Sequence, residues 1–220
     1  MKLLFSFVFI LIVFSSGAHS KKILANYEIK TRGIIIGSLS WEIEINDSNY
    51  KAYLNLKNKG FLSSLYKFRG EYTTSGKTIN GYLVPEKYKQ IWITKKKRRD
   101  VQIFFKDFKI LKIENTPEEN EKLRINYKDL LNYTDPITSF INILLGGKAS
   151  YTIDGRRAYL LSPYKTEKGH NILIEEYKNM WADHKRNDLE YLEFYEQDKS
   201  LLPKKINIGF KGSVFYLNKI

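Results

Sequence analysis

Trp41-Glu42-Ile43-Glu44-Ile45, followed after Asn46-Asp47 by Tyr50-Lys51-Ala52-Tyr53-Leu54-Asn55-Leu56-Lys57, is the stretch whose reading decides the fold. Apolar side chains fall at every second position. Trp41, Ile43 and Ile45 alternate with Glu42 and Glu44, and Tyr50, Ala52, Leu54 and Leu56 with Lys51, Asn55 and Lys57. Successive side chains of an extended chain point to opposite faces, so this spacing predicts half-buried antiparallel strands. The pattern returns at Tyr66, Phe68 and Tyr72 against Lys67, Arg69 and Glu71, and at Val101, Ile103 and Phe105 against Gln102 and Lys106. It returns again at Ile206, Ile208 and Phe210 against Asn207 and Lys211. The 16 Tyr and 13 Phe agree with a sheet-rich chain, because aromatic side chains pack well on a pleated surface.

Between these runs lies turn chemistry: Gly33, Gly37, Asn46-Asp47, Asn58-Lys59-Gly60, Ser75-Gly76, Asp154-Gly155 and Lys168-Gly169. Asp154-Gly155 reads as the two central residues of a tight hairpin turn, since both tolerate positive φ, with Lys148 to Ile153 and Arg156 to Ser162 as its arms. One segment departs from the alternation. Asp135 can cap free backbone N–H groups, and Pro136 stands where its missing N–H costs nothing. Ile137, Phe140, Ile141, Leu144 and Leu145 then follow at helical spacing, and Gly146-Gly147 stops the run. This predicts a helix of about ten residues, with another turn or two upstream within Leu123 to Tyr133. The expected fold is α+β, predominantly antiparallel β: a curved sheet or incomplete β-barrel with one inserted amphipathic helix.

The amino terminus carries an address. Met1-Lys2, the apolar run Leu3 to Phe14 and the small-residue exit Ser15 to Ser20 have the three-part layout of a cleavable secretory signal peptide. The run is too short for the roughly twenty residues a spanning helix needs. Cleavage is expected after Ser20, leaving Lys21 to Ile220 as one β-rich domain in the periplasm. The chain has no cysteine, which removes disulfides, thiol nucleophiles, Cys-ligated metals and a lipidated cysteine anchor. The net charge of +13 resides mostly in lysine, and an export signal argues against nucleic acid as the partner. Lipid or another envelope component, including an anionic membrane surface, fits an exported basic chain better.

No catalytic constellation emerges, and neither a cofactor nor a metal is expected. His170 and His184 read as loop positions without metal-ligand spacing, and no serine stands in a nucleophile elbow. Glu42 and Glu44 share one strand face, the solvent side. Lys95, Lys96, Lys97, Arg98 and Arg99 form the densest charge run, read either as a solvated hairpin tip or as a contact for phosphate-bearing lipid or polysaccharide. Arg156 and Arg157 follow the Asp154-Gly155 turn, where a guanidinium fork suits either a neighbouring carboxylate or a ligand carboxylate or phosphate. Trp41, Tyr66, Phe68, Tyr72 and Phe105 are the candidate ligand-facing set, although a filled core requires the same inward aromatics.

Four pieces in order resemble domain-of-unknown-function family 3108, a family of exported bacterial proteins. They are Tyr27 to Gly37, Gly81 to Tyr88 followed by the Arg98 to Phe105 strand, Asp135-Pro136-Ile137-Thr138-Ser139, and Tyr151 to Tyr159. Leu-Ser is usual in that family where this chain has Ile137-Thr138. The resemblance implies an envelope protein of mostly antiparallel sheet and carries over no catalytic residue. A curved sheet closed by a helix also resembles, in shape, periplasmic carriers that shelter acyl chains. Three functions follow as expectations: non-catalytic binding of an apolar or amphipathic envelope ligand, a protein- or polysaccharide-interaction module, and a glycan-acting hydrolase using paired carboxylates.

Overall fold

The structure is a computed structural model that describes residues 20–60, 67–166, 169–181, 187–196 and 200–220. The expected signal peptide, the candidate Tyr66 and the loop position His184 lie outside the described residues. Strands β1 (Lys21–Thr31), β2 (Ile34–Ile45), β3 (Asn49–Asn58), β4 (Phe68–Ile79), β5 (Tyr82–Thr94), β6 (Arg98–Lys106) and β7 (Lys109–Thr116) precede the helix α1 (Pro136–Leu144). After it come β8 (Ser150–Ile153), β9 (Arg157–Thr166), β10 (Gly169–Asn179), β11 (Leu189–Tyr195), β12 (Lys205–Phe210) and β13 (Ser213–Lys219). They form one sheet in the order β7-β6-β5-β4-β3-β2-β1-β13-β12-β11-β10-β9-β8. Among the described residues the fold is thus predominantly antiparallel, an open barrel with one α-helix, as the alternation predicts.

The parity of the strand count fixes how the two edges of the sheet relate. Every neighbouring pair is antiparallel, so in a run of thirteen strands the two outer ones, β7 and β8, must point the same way. Parallel strands need a long crossover between them, and residues 117–149 are that crossover. Its segment Leu131–Thr134 stitches part of the gap: Leu131 bridges Lys109, Asn132 N–H donates to Phe108 C=O (3.0 Å), and Thr134 bridges Thr152.

Helix α1 begins as expected. The Asp135 carboxylate accepts from Ile137 N–H and Thr138 N–H, both at 3.0 Å, and Pro136 opens the helix. Ile137, Thr138, Ser139, Phe140 and Ile141 are all buried, so the helix fills the barrel interior rather than flanking it. Phe140 stacks on Trp41 (5.5 Å) and meets Phe194 edge-on (5.4 Å). The upstream segment supplies only one 3-10 turn, Tyr127–Asp129.

Several expected turns are something else. Gly37 and Ser75-Gly76 lie within β2 and β4, where a Cβ at Gly37 would stand 2.7 Å from Lys57 C=O and one at Gly76 only 2.0 Å from Val84 C=O. Both glycines allow close backbone approach, and Gly76 sits at a bulge. The β4–β5 turn is Asn80-Gly81, with φ of 51° and 80°. In the β8–β9 hairpin, Ile153 pairs with Ala158 and Asp154 N–H donates to Arg157 C=O, so the central residues are Gly155-Arg156, not Asp154-Gly155. Asp154 instead accepts from the N–H groups of Arg156 (2.9 Å) and Arg157 (2.7 Å), because its short side chain folds back on the turn. His170 belongs to β10 rather than to a loop, and Arg98 and Arg99 begin β6, leaving Lys95–Lys97 as the tip.

Candidate functional site

The turns Arg32-Gly33, Lys95–Lys97, Gly155-Arg156 and Lys211-Gly212 mark one end of the barrel, called the upper end below. The helix fills the lower part of the interior, where Asn142 and Asp135 attach it to β5 and β4. Near the upper end the inner face is covered less completely. Leu54 and Leu56 of β3, Tyr72 of β4, Tyr177 of β10, Leu189 of β11 and Phe215 of β13 are only partly buried while packing against the core. Phe68 and Trp92 are half-buried and stack at 5.8 Å with planes 11° apart. Gly70 makes room for this wall, since a Cβ there would meet the rings of Tyr72 (2.8 Å) and Trp92 (3.2 Å). The upper inner face on this side is thus apolar, aromatic and partly buried, above a lower half filled by the helix.

The candidate ligand residues separate accordingly. Phe68 and Tyr72 share this wall. Trp41 and Phe105 are 6% and 5% exposed, deep in the core, and Trp41 rests on Phe140. Trp92, which completes the wall, escaped the sequence reading. Its signal was present in the spacing: it stands four residues after the buried Tyr88 on one strand, in the same inward phase.

Carboxylates engage both arginines of the β8–β9 turn. Asp154 holds Arg157 through Nε (3.0 Å) and the terminal nitrogen (2.8 Å), and its charge raises the guanidinium pKa above the usual range. Burial is the main cause that raises the phenol of Tyr72, helped by the charge of Asp154. Tyr177, whose hydroxyl donates to Leu189 C=O (2.6 Å), is pushed up to about 12, again chiefly by burial. Glu119, on the crossover, meets Arg156 Nε at 2.9 Å and also binds Arg99. Burial, then the like charge of Arg99, lowers Arg156 to about 10. These pairs tie the crossover and the turn to β6.

A recess of about 340 Å³ lies on the outer face, lined by Glu42, Glu44, Lys51, Tyr53 and Thr73. Lys22 bridges Glu42 (2.6 Å) and Glu44 (3.2 Å), so one ammonium offsets half the charge of the two carboxylates. Their outward placement is the one their alternation predicts. Among the described residues no group of three His, Cys, Asp or Glu side chains could hold a metal ion.

The family described as Protein of unknown function (DUF3108) matches residues 26–165, which run from β1 to β9 and include α1. No curated protein matches the chain. Among solved structures, the crystal structure of a beta-barrel-like protein of domain of unknown function DUF1849 from Brucella abortus is similar. The TM-score is 0.54 at 9% identity, covering 93% of this chain and 98% of that one. At that identity the likeness is one of fold.

Proposed function

The chain belongs to the DUF3108 family, and from that premise we propose that it is an exported, non-catalytic binding protein of the bacterial envelope whose upper cup holds the apolar part of an amphipathic ligand. The observation that carries this reading is the wall of Leu54, Leu56, Phe68, Tyr72 and Trp92, partly buried and inward-facing above the helix-filled lower interior. Apolar side chains left in that state gain from being covered, and about eight ligand methylene groups settled against them contribute roughly 6 kcal/mol before ordering costs. Because α1 fills the lower interior, the ligand is held shallowly, with its polar end at the rim. The leader from Met1 to Ser20 supports a periplasmic site of action.

Native mass spectrometry of Lys21 to Ile220, purified from periplasm without detergent and paired with lipid extraction, tests this reading. A reproducible bound mass is expected, lost in the Phe68→Ser, Trp92→Ser double variant. A bare monomer mass in every preparation overturns it.

The outer recess favours a second reading, a polysaccharide- or protein-docking module. Tyr53 beside Glu42, Glu44 and Lys51 offers a ring and charged groups to a polyhydroxylated chain. Crosslinking in intact envelopes would then capture a partner at Tyr53, and capture elsewhere or nowhere would remove this alternative.

A further inference from the structure

The hairpins β1–β2, β3–β4 and β5–β6 belong to neighbouring strands, so the upper ends of these strands stand side by side along one rim. That rim carries Arg32, Lys57, Lys59, Lys67, Lys96 and Lys97, all exposed. Four acidic groups nearby are already engaged. Glu71 pairs with Arg69, Asp100 with Arg98 (2.9 Å), Glu119 with Arg99 and Arg156, and Asp188 with Lys211 (3.5 Å). Among the described residues none of the six rim cations forms an ion pair. Phe68 and Trp92 lie just below them, next to Lys67 and the Lys95–Lys97 tip, and Ile34 is 54% exposed beside the Arg32-Gly33 turn.

Cations above half-buried aromatics are the arrangement of a side that meets a membrane interface. Lysines reach the phosphate layer and rings of the tryptophan and phenylalanine kind settle at headgroup depth. We infer that the protein docks end-on, by this upper rim, on the surface of an anionic phospholipid bilayer. Charge complementarity selects that occupant: on the β1–β6 side of the rim the six cations form no ion pair among the described residues, in a chain of net charge +13, while the exposed Glu118 and Glu190 lie beyond them toward β7 and β11. The docking rests on the cup reading in one respect only, that a ligand drawn from such a surface would enter without the protein turning over.

Co-sedimentation of Lys21 to Ile220 with vesicles tests it, using phosphatidylcholine alone against phosphatidylcholine mixed with phosphatidylglycerol. Binding is expected only to the mixed vesicles and should fall steeply with salt. Each cation at such a surface is worth about fivefold in partitioning, so the Lys57→Ala, Lys96→Ala, Lys97→Ala variant should lose about a hundredfold. The Lys106→Ala, Lys109→Ala, Lys148→Ala variant, with the same charge removed from the lower end, should bind nearly as the parent does. Equal binding to both vesicle types, equal loss in both variants, or preference for a soluble anionic polysaccharide over the vesicles overturns the docking. Retention of a bound amphiphile, read separately by native mass spectrometry, keeps failure of the docking distinct from failure of the cup reading.

Discussion

Asn142 of α1 satisfies both backbone groups of Leu83 in β5: Leu83 N–H donates to Oδ1 (2.9 Å) and Nδ2 donates to Leu83 C=O (2.8 Å). β6 pairs with β5 only from Lys87 onward, so these groups have no strand partner on that side. One side chain thus substitutes for a strand and attaches the helix to the barrel wall. Asn142→Ala should destabilise the fold by about 1–3 kcal/mol, the cost of stranding a partly buried donor and acceptor. Urea denaturation measures this, and faster hydrogen exchange at the Leu83 amide locates it. Unchanged exchange there would show that the pairing contributes nothing.

Asp135 is fully buried, and its carboxylate accepts from Thr74 Oγ1 (2.8 Å), from Thr138 and from two backbone N–H groups, with no cation paired to it among the described residues. Burial raises its pKa above the ordinary value of 3.8, outweighing the hydrogen bonds that favour the charge. The folded state therefore holds this proton more tightly than the unfolded chain. Its stabilising contribution is complete below the ordinary carboxylate value and is lost as pH rises through the raised one. Asp135→Asn keeps a capping oxygen without the charge, so the stability difference between variant and parent should shift in favour of the variant as pH rises. Urea midpoints from about pH 4 to about pH 8 read this difference, and a pH-independent gap would contradict it.

Gly155 has φ of +87°, and a Cβ there would lie 2.4 Å from Val101 Cγ1. Gly155→Ala should destabilise by about 1–3 kcal/mol through overpacking and backbone strain together. Adding Val101→Ala removes the clash but not the strain, so a double-mutant cycle should show partial rescue. Full additivity would mean that the turn shifts away from β6.

Trp41 and Trp92 should behave oppositely. Trp41→Ala opens the core beneath Phe140 and should cost about 3–5 kcal/mol. Trp92→Ala removes half of a stacked pair at the rim, so its larger effect should fall on amphiphile retention. Thermal melts and native mass spectra on both variants separate the two roles. A stability loss at Trp92 as large as that at Trp41 would make the cup wall ordinary core.

Strand alternation, the Asp135-Pro136 helix start and the outward Glu42 and Glu44 were all legible in the residue order, because each depends on neighbours two to four positions apart. Period two assigns a side chain to a face, and a capping carboxylate acts on the next turn of chain. Which inward residues end up buried was decided by the tertiary structure. Trp41, Phe68, Tyr72, Trp92 and Phe105 share one pattern, yet α1 covers Trp41, while Phe68, Tyr72 and Trp92 stand above the helix. The shared direction of β7 and β8 arises from the parity of the strand count, and the alignment of Arg32, Lys57 and Lys96 on one rim from the order of the sheet. Those relations join residues far apart in the chain, and no local spacing encodes them.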